Sequence, residues 1–161
     1  MKKTRLLIFV AWLLHLSAWL LPSVKETTYA GQIIGWKAFR LAACGVWPCK
    51  GLEFDPWHYA VLATVSTLTT LLFILGSPWV VLRGSRLLRK TSAWVAFTAF
   101  IFNTHWIVIF GPERSNLAIG YYFWWSSFLV LAAGLFYLSK QNGAEPTETI
   151  HTVAAPTCRT S

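Results

Sequence analysis

The stretch HYAVLATVSTLTTLLFILGSPWVVL, residues 58–82, runs for 25 residues without Asp, Glu, Lys or Arg and stops at the basic RGSRLLRK, residues 83–90. A bilayer core about 30 Å thick is crossed by about 20 apolar residues of helix, rising about 1.5 Å each. One charge at the centre of such a helix would cost about 2.5–3.5 kcal/mol. Three further stretches, residues 6–24, 92–110 and 120–139, are equally free of charge. All four are continuous rather than alternating, which selects helices over a barrel. Composition agrees: charged residues make up 12% of the chain, against about 25% in a soluble domain. The expected fold is all-α, a polytopic membrane protein whose residues 1–139 form one antiparallel four-transmembrane-helix bundle.

Lys and Arg set the expected orientation. Lys2, Lys3 and Arg5 precede the first stretch, Arg83, Arg86, Arg89 and Lys90 crowd the 83–91 connection without an acid, and Lys140 follows the fourth. The other side carries Lys25, Lys37, Arg40, Lys50 and Arg114, diluted by Glu26, Glu53, Asp55 and Glu113. The positive-inside rule then places both ends in the cytoplasm, and the expected location is a bacterial cytoplasmic (inner) membrane. The net charge of +8 fits topology and anionic headgroups. It does not fit nucleic acid, because no soluble segment interleaves basic and stacking residues. An alternative is a cleaved leader ending at Thr28-Tyr29-Ala30, but the apolar run exceeds the 7–15 residues of a leader core, and an uncleaved first span is the expectation.

The outer segment, residues 25–57, is about 33 residues long. Within it, residues 33–43 read as a short helix with Lys37 and Arg40 on one face and apolar residues around them. That pattern suits a helix lying in the membrane interface, or one packed on the bundle top. The second outer loop, 111–119, is short, and Gly76-Ser77-Pro78 is expected to kink or end the second span. Trp57, Tyr59, Tyr121, Tyr122, Trp124 and Trp125 at the outer ends, with Trp79, Trp94 and Tyr137 at the inner ends, read as aromatic belts. Residues 140–161, polar and rich in Thr, Pro and Ala, read as a disordered cytoplasmic tail.

Helix periodicity picks out one small or polar stripe on each span. These are Ala11, His15 and Ala18; Ala60, Ala63, Thr64, Thr67 and Thr70; Ala96, Ala99 and Asn103; and Ser126, Ser127, Val130, Ala133 and Gly134. Small residues let helices approach and hydroxyl or amide groups bond across them, so these are the expected inward faces. Counted at about 1.5 Å per residue, His15, Thr70, Asn103 and Ser127 fall at similar depth and are predicted to form a polar cluster near mid-membrane. The cluster serves as interhelical glue or, through His15, as a proton or ligand site. Paired haem ligation by His15 and His105 is disfavoured, because His105 lies about 200° round the helix from Asn103. No cofactor is expected.

Cys44-Gly45-Val46-Trp47-Pro48-Cys49 lies on the expected outer side, where a disulfide persists. A structural bridge, two unpaired thiols and a redox-active pair are the three readings. In overall plan the chain resembles the quinone-linked four-helix disulfide oxidases: four spans, both ends cytoplasmic, cysteines in the first outer loop. That family spaces the pair C-x-x-C and carries a second pair in the second outer loop. Here the spacing is C-x-x-x-x-C and residues 111–119 contain no cysteine, so membership is not assigned. The Trp- and Cys-bearing first outer loop is likewise similar in plan to claudin-like tetraspan proteins, without their cysteine spacing.

For function, the leading expectation is a non-enzymatic accessory or interaction subunit, surrounded by lipid and bound to another membrane protein or to a second copy. A small transporter or permeability factor using His15 is the second reading. A membrane redox protein using Cys44 and Cys49, or a bound quinone or haem, is the third. No nucleotide-binding, metal-finger or hydrolase motif is present.

Overall fold

The computed structural model describes residues 2–25, 32–47, 49, 57–111 and 116–141. The expected cleavage site at 28–30, the charges Glu26, Lys50, Glu53, Asp55, Glu113 and Arg114, and the tail beyond 141 lie outside the described residues. Within them the chain is mostly helical, and three helices, His58–Arg83, Arg86–Ile109 and Ile119–Gln141, are long and apolar enough to cross a membrane. The apolar Thr4–Leu20 is shorter.

Helix α1 spans Lys2–Leu20 and stops before the Val24 limit expected from apolarity. Pro22 is the cause: it lacks a backbone donor and its ring clashes with the preceding turn. The chain turns instead into a strand, β1 (Pro22–Lys25), paired antiparallel with β2 (Gln32–Ile34). This hairpin delivers the chain to α2 (Gly35–Ala43). The Gly35 amide donates to the Leu21 carbonyl at 2.9 Å. A side chain at Gly35 would collide with the Ala18 carbonyl, so this return over the end of α1 requires glycine.

Helix α3 (His58–Leu71) widens into a π-helical turn, Leu72–Gly76, and resumes as α4 (Ser77–Arg83). Pro78 therefore falls in the first turn of α4, where its missing donor is least costly. The wider turn accommodates the proline without ending the helical path. Ser85 opens α5 (Arg86–Asn103), its hydroxyl accepting from the Leu88 amide at 3.2 Å. The connection expected over 83–91 thus contracts to Gly84 and Ser85, and Arg86, Arg89 and Lys90 ride on α5. Arg89 reaches back to donate to the Val81 carbonyl near the end of α4. After Thr104, α6 (His105–Phe110) continues from α5, and α7 (Ile119–Gln141) is the last element among the described residues.

Helix α7 packs most extensively, against α1 and against α5. Helices α1 and α7 run in opposite directions, since Gln141 bonds to Thr4 at one end and Ser127 meets His15 further along. Gly134 lets the two close up: a Cβ there would stand 2.9 Å from Ile8 Cγ1. The α3–α4 rod meets this pair through large side chains instead. The Phe73 ring lies 5.5 Å from both Trp12 and Phe128, and Trp12 Nε1 donates to Ser77 Oγ. Ile8, Ala11, Phe73, Phe128, Leu131 and Leu135 form the apolar core around the junction.

Candidate functional site

The predicted cluster residues all lie deep inside. His15, Asn103 and Ser127 are 0% exposed and Thr70 is 1% exposed. They fall into two pairs of contacts rather than one knot. His15 Nδ1 lies 2.9 Å from Ser127 Oγ, and that hydroxyl also lies 2.6 Å from the Trp124 carbonyl, to which it donates. Ser127 has one proton to give, so Nδ1 of His15 carries the hydrogen shared with it. His15 Nε2 is left as a buried acceptor with no partner. The imidazole is stacked on Phe73, centroids 4.0 Å apart, with Phe128 edge-on.

The second pair is built around Asn103. Its Oδ1 accepts from Ser66 Oγ at 2.8 Å, and its Nδ2 donates to Thr69 Oγ1 and to the Ala99 carbonyl. Ser66 Oγ in turn accepts from Trp106 Nε1. Thr70 joins by donating to the Ser66 carbonyl. Trp124 connects the two halves, its indole donating to Thr70 Oγ1 while its carbonyl receives Ser127. Sequence periodicity missed Ser66 and Thr69 because they flank the chosen stripe; the dense hydroxyl run 64–70 was the available signal.

Three aromatics expected in the outer belt turn inward instead. Trp124 bonds to Thr70, Trp125 donates to the Phe100 carbonyl, and Tyr121 donates to the Asn103 carbonyl. A buried indole or phenol needs a partner, and neighbouring helices supply one. Trp57, Trp79 and Tyr137 do remain exposed. His105 lies beside Trp106, centroids 4.6 Å apart, its Nδ1 held 2.7 Å from the Phe102 carbonyl.

A cavity of about 250 Å³ opens beneath α2. Ala38, Phe39 and Ala42 of α2, Ala63, Ser66, Thr67 and Thr70 of α3, and Trp106, Tyr121 and Trp124 are among the residues that line it. Among the described residues that line it there is no Asp, Glu, Lys, Arg or His. His15 is not among its walls.

Cys44 and Cys49 stand at disulfide distance, their Cα atoms 5.2 Å apart. This is the arrangement a structural bridge needs. Gly45, between them, touches α3 so closely that a Cβ would lie 2.7 Å from the Ala60 carbonyl. Among the described residues no three His, Cys, Asp or Glu side chains gather in a metal-binding group.

No protein-family model, no curated protein and no solved structure matches this chain.

Proposed function

We propose that the chain is a four-span protein of a bacterial cytoplasmic membrane, with both ends and the basic turn at Arg83, Arg86, Arg89 and Lys90 in the cytoplasm. In this reading α1, α3–α4, α5–α6 and α7 form one antiparallel bundle over residues 1–139, and the hairpin and α2 belong to the outer loop. Its role is that of a non-enzymatic interaction subunit, bound to another membrane protein or to a second copy.

One observation carries the reading: polarity is inverted. The amide, imidazole and hydroxyl groups of Asn103, His15 and Ser127 are sealed inside, whereas Leu20 is 80%, Leu75 is 71% and Leu82 is 79% exposed. Surrounding hydrocarbon favours that arrangement and water opposes it. The outer end supports a partner surface. Trp36, Leu41, Trp47 and Trp57 are exposed there beside the cations Lys37 and Arg40, and Trp and Arg are the side chains that anchor protein interfaces most often.

The test has two parts. An impermeant maleimide applied to whole cells labels Lys25→Cys and spares Arg86→Cys; labelling of both from one side refutes the orientation. A photocrosslinking amino acid placed at Trp47 yields a discrete protein adduct. Adducts with lipid alone, at both Trp47 and Leu41, refute the interaction role.

A further inference from the structure

The turn between α4 and α5 holds its cations in a fixed frame. Gly84 and Ser85 alone separate the two helices. The Gly84 amide donates to the Val80 carbonyl at 3.0 Å, and a Cβ at Gly84 would collide with that same carbonyl. Ser85 caps α5 through the Leu88 amide. Arg89 is half-buried and reaches across the turn, its Nη2 donating to the Val81 carbonyl at 3.3 Å. Arg83, Arg86 and Lys90 are exposed. Arg86 and Lys90 stand one helical turn apart on the same face of α5, where like charges repel each other. An anion laid against that face relieves the repulsion.

Exposed apolar side chains continue each cationic face away from the turn. Trp79 lies one helical turn before Arg83 on α4, and Trp94 one turn after Lys90 on α5. Both indoles are exposed, as are Leu82 and Leu87 beside the turn. Four residues of helix set each indole about 6 Å deeper along the rod than its cation. A phospholipid presents its groups in the matching order, phosphate first and then the ester region, the depth that indoles favour. A soluble acid would use the cations and leave the apolar flank uncovered. The two features together therefore select a lipid.

We propose that the exposed side of this turn binds the phosphodiester of an anionic phospholipid from the surrounding leaflet through Arg83, Arg86 and Lys90, with Trp79 and Trp94 against its ester region. Charge complementarity favours an anionic headgroup over a zwitterionic one. The tight turn presents the cations from a backbone that has little freedom left to lose on binding. The chain's own acids on the expected cytoplasmic side, Glu145 and Glu148, are the competing occupants. The inference rests on the membrane reading proposed above and not on the interaction role.

The test uses the purified full chain in detergent micelles, with phosphatidylglycerol carrying a diazirine beside its acyl ester and phosphatidylcholine carrying the same group. Phosphatidylglycerol is expected to place saturable label on residues 79–94, with an apparent affinity more than about tenfold above that of phosphatidylcholine. Arg83→Gln and Lys90→Gln each lower that affinity about fivefold, the factor one cation contributes at an anionic surface. Neither changes labelling by phosphatidylcholine, which also reports that the variants keep their fold. Arg83→Lys, which keeps the charge, and Lys25→Gln, which removes a cation at the other end of the rods, leave both labels unchanged. The proposal is overturned if the two lipids label alike, if Lys25→Gln acts as strongly as Arg83→Gln, or if soluble glycerophosphoglycerol displaces the lipid. A preference for phosphatidylglycerol that emerges only when Glu145→Gln and Glu148→Gln are combined assigns the cations to the chain's own acids, and overturns it too. Flotation of the reconstituted chain with phosphatidylcholine vesicles reports on the membrane reading alone, so the two failures are told apart.

Discussion

Removing the Asn103 amide tests whether polar groups hold α5 to α3. The backbones of these two helices approach each other at few places, and Asn103 supplies two side-chain bonds between them, from Ser66 Oγ at 2.8 Å and to Thr69 Oγ1 at 3.2 Å. Interhelical hydrogen bonds in membranes average about 0.6 kcal/mol and reach about 1.7 kcal/mol. Asn103→Ala is therefore expected to destabilise by about 1–2 kcal/mol, from two bonds and a small void. Ser66→Ala loses the same 66–103 bond and also the one from Trp106. A double-mutant cycle separates the shared part: the coupling between the two substitutions is expected near 0.6 kcal/mol. The assay is reversible unfolding in mixed micelles by titrated dodecyl sulfate, followed by tryptophan fluorescence and helical circular dichroism. If the double variant equals the sum of the singles within about 0.3 kcal/mol, the amide does not tie these helices together and the reasoning fails.

Other perturbations address separate parts of the fold. Gly35→Ala forces a methyl group against the Ala18 carbonyl, and is expected to loosen the hairpin and α2, read as faster proteolysis near residues 33–43 while α7 stays protected. Ser85→Ala removes the α5 N-cap and is expected to cost about 1 kcal/mol, measured in the same unfolding assay; no change would mean the Leu88 amide finds water instead. Alkylation of denatured protein before and after reduction is expected to show Cys44 and Cys49 reactive only after reduction. Reaction of both beforehand would exclude the bridge.

The helical rods were legible because charge is absent over each stretch and lipid-length apolarity has few other uses. Two of the four stripes were legible for the same periodic reason: Ala11, His15 and Ala18 on α1, and Ala96, Ala99 and Asn103 on α5, are all buried, whereas Ala60 and Thr64 on α3 and Ser126, Val130 and Ala133 on α7 are only partly so. The hairpin escaped detection because its strands, Pro22–Lys25 and Gln32–Ile34, are too short to show alternation. The helical start at Arg86 was hidden by the cations, which read as loop although Ser85 is a good cap residue. The inward indoles escaped because a Trp near a span end satisfies the belt rule by position alone. Only the partner, such as Thr70 for Trp124, tells the two uses apart.

The pairing of α1 with α7 has a consequence for biosynthesis. Helix α1, which carries His15, is translated before α7, which supplies two of the groups that enclose the imidazole, Ser127 and Phe128. During elongation the imidazole must wait, without its native hydroxyl neighbour, while more than a hundred further residues are translated. A nascent chain arrested before residue 119 holds a half-assembled product whose earliest segment still lacks its mate. Quality-control proteases that sense exposed polar groups would meet that product first.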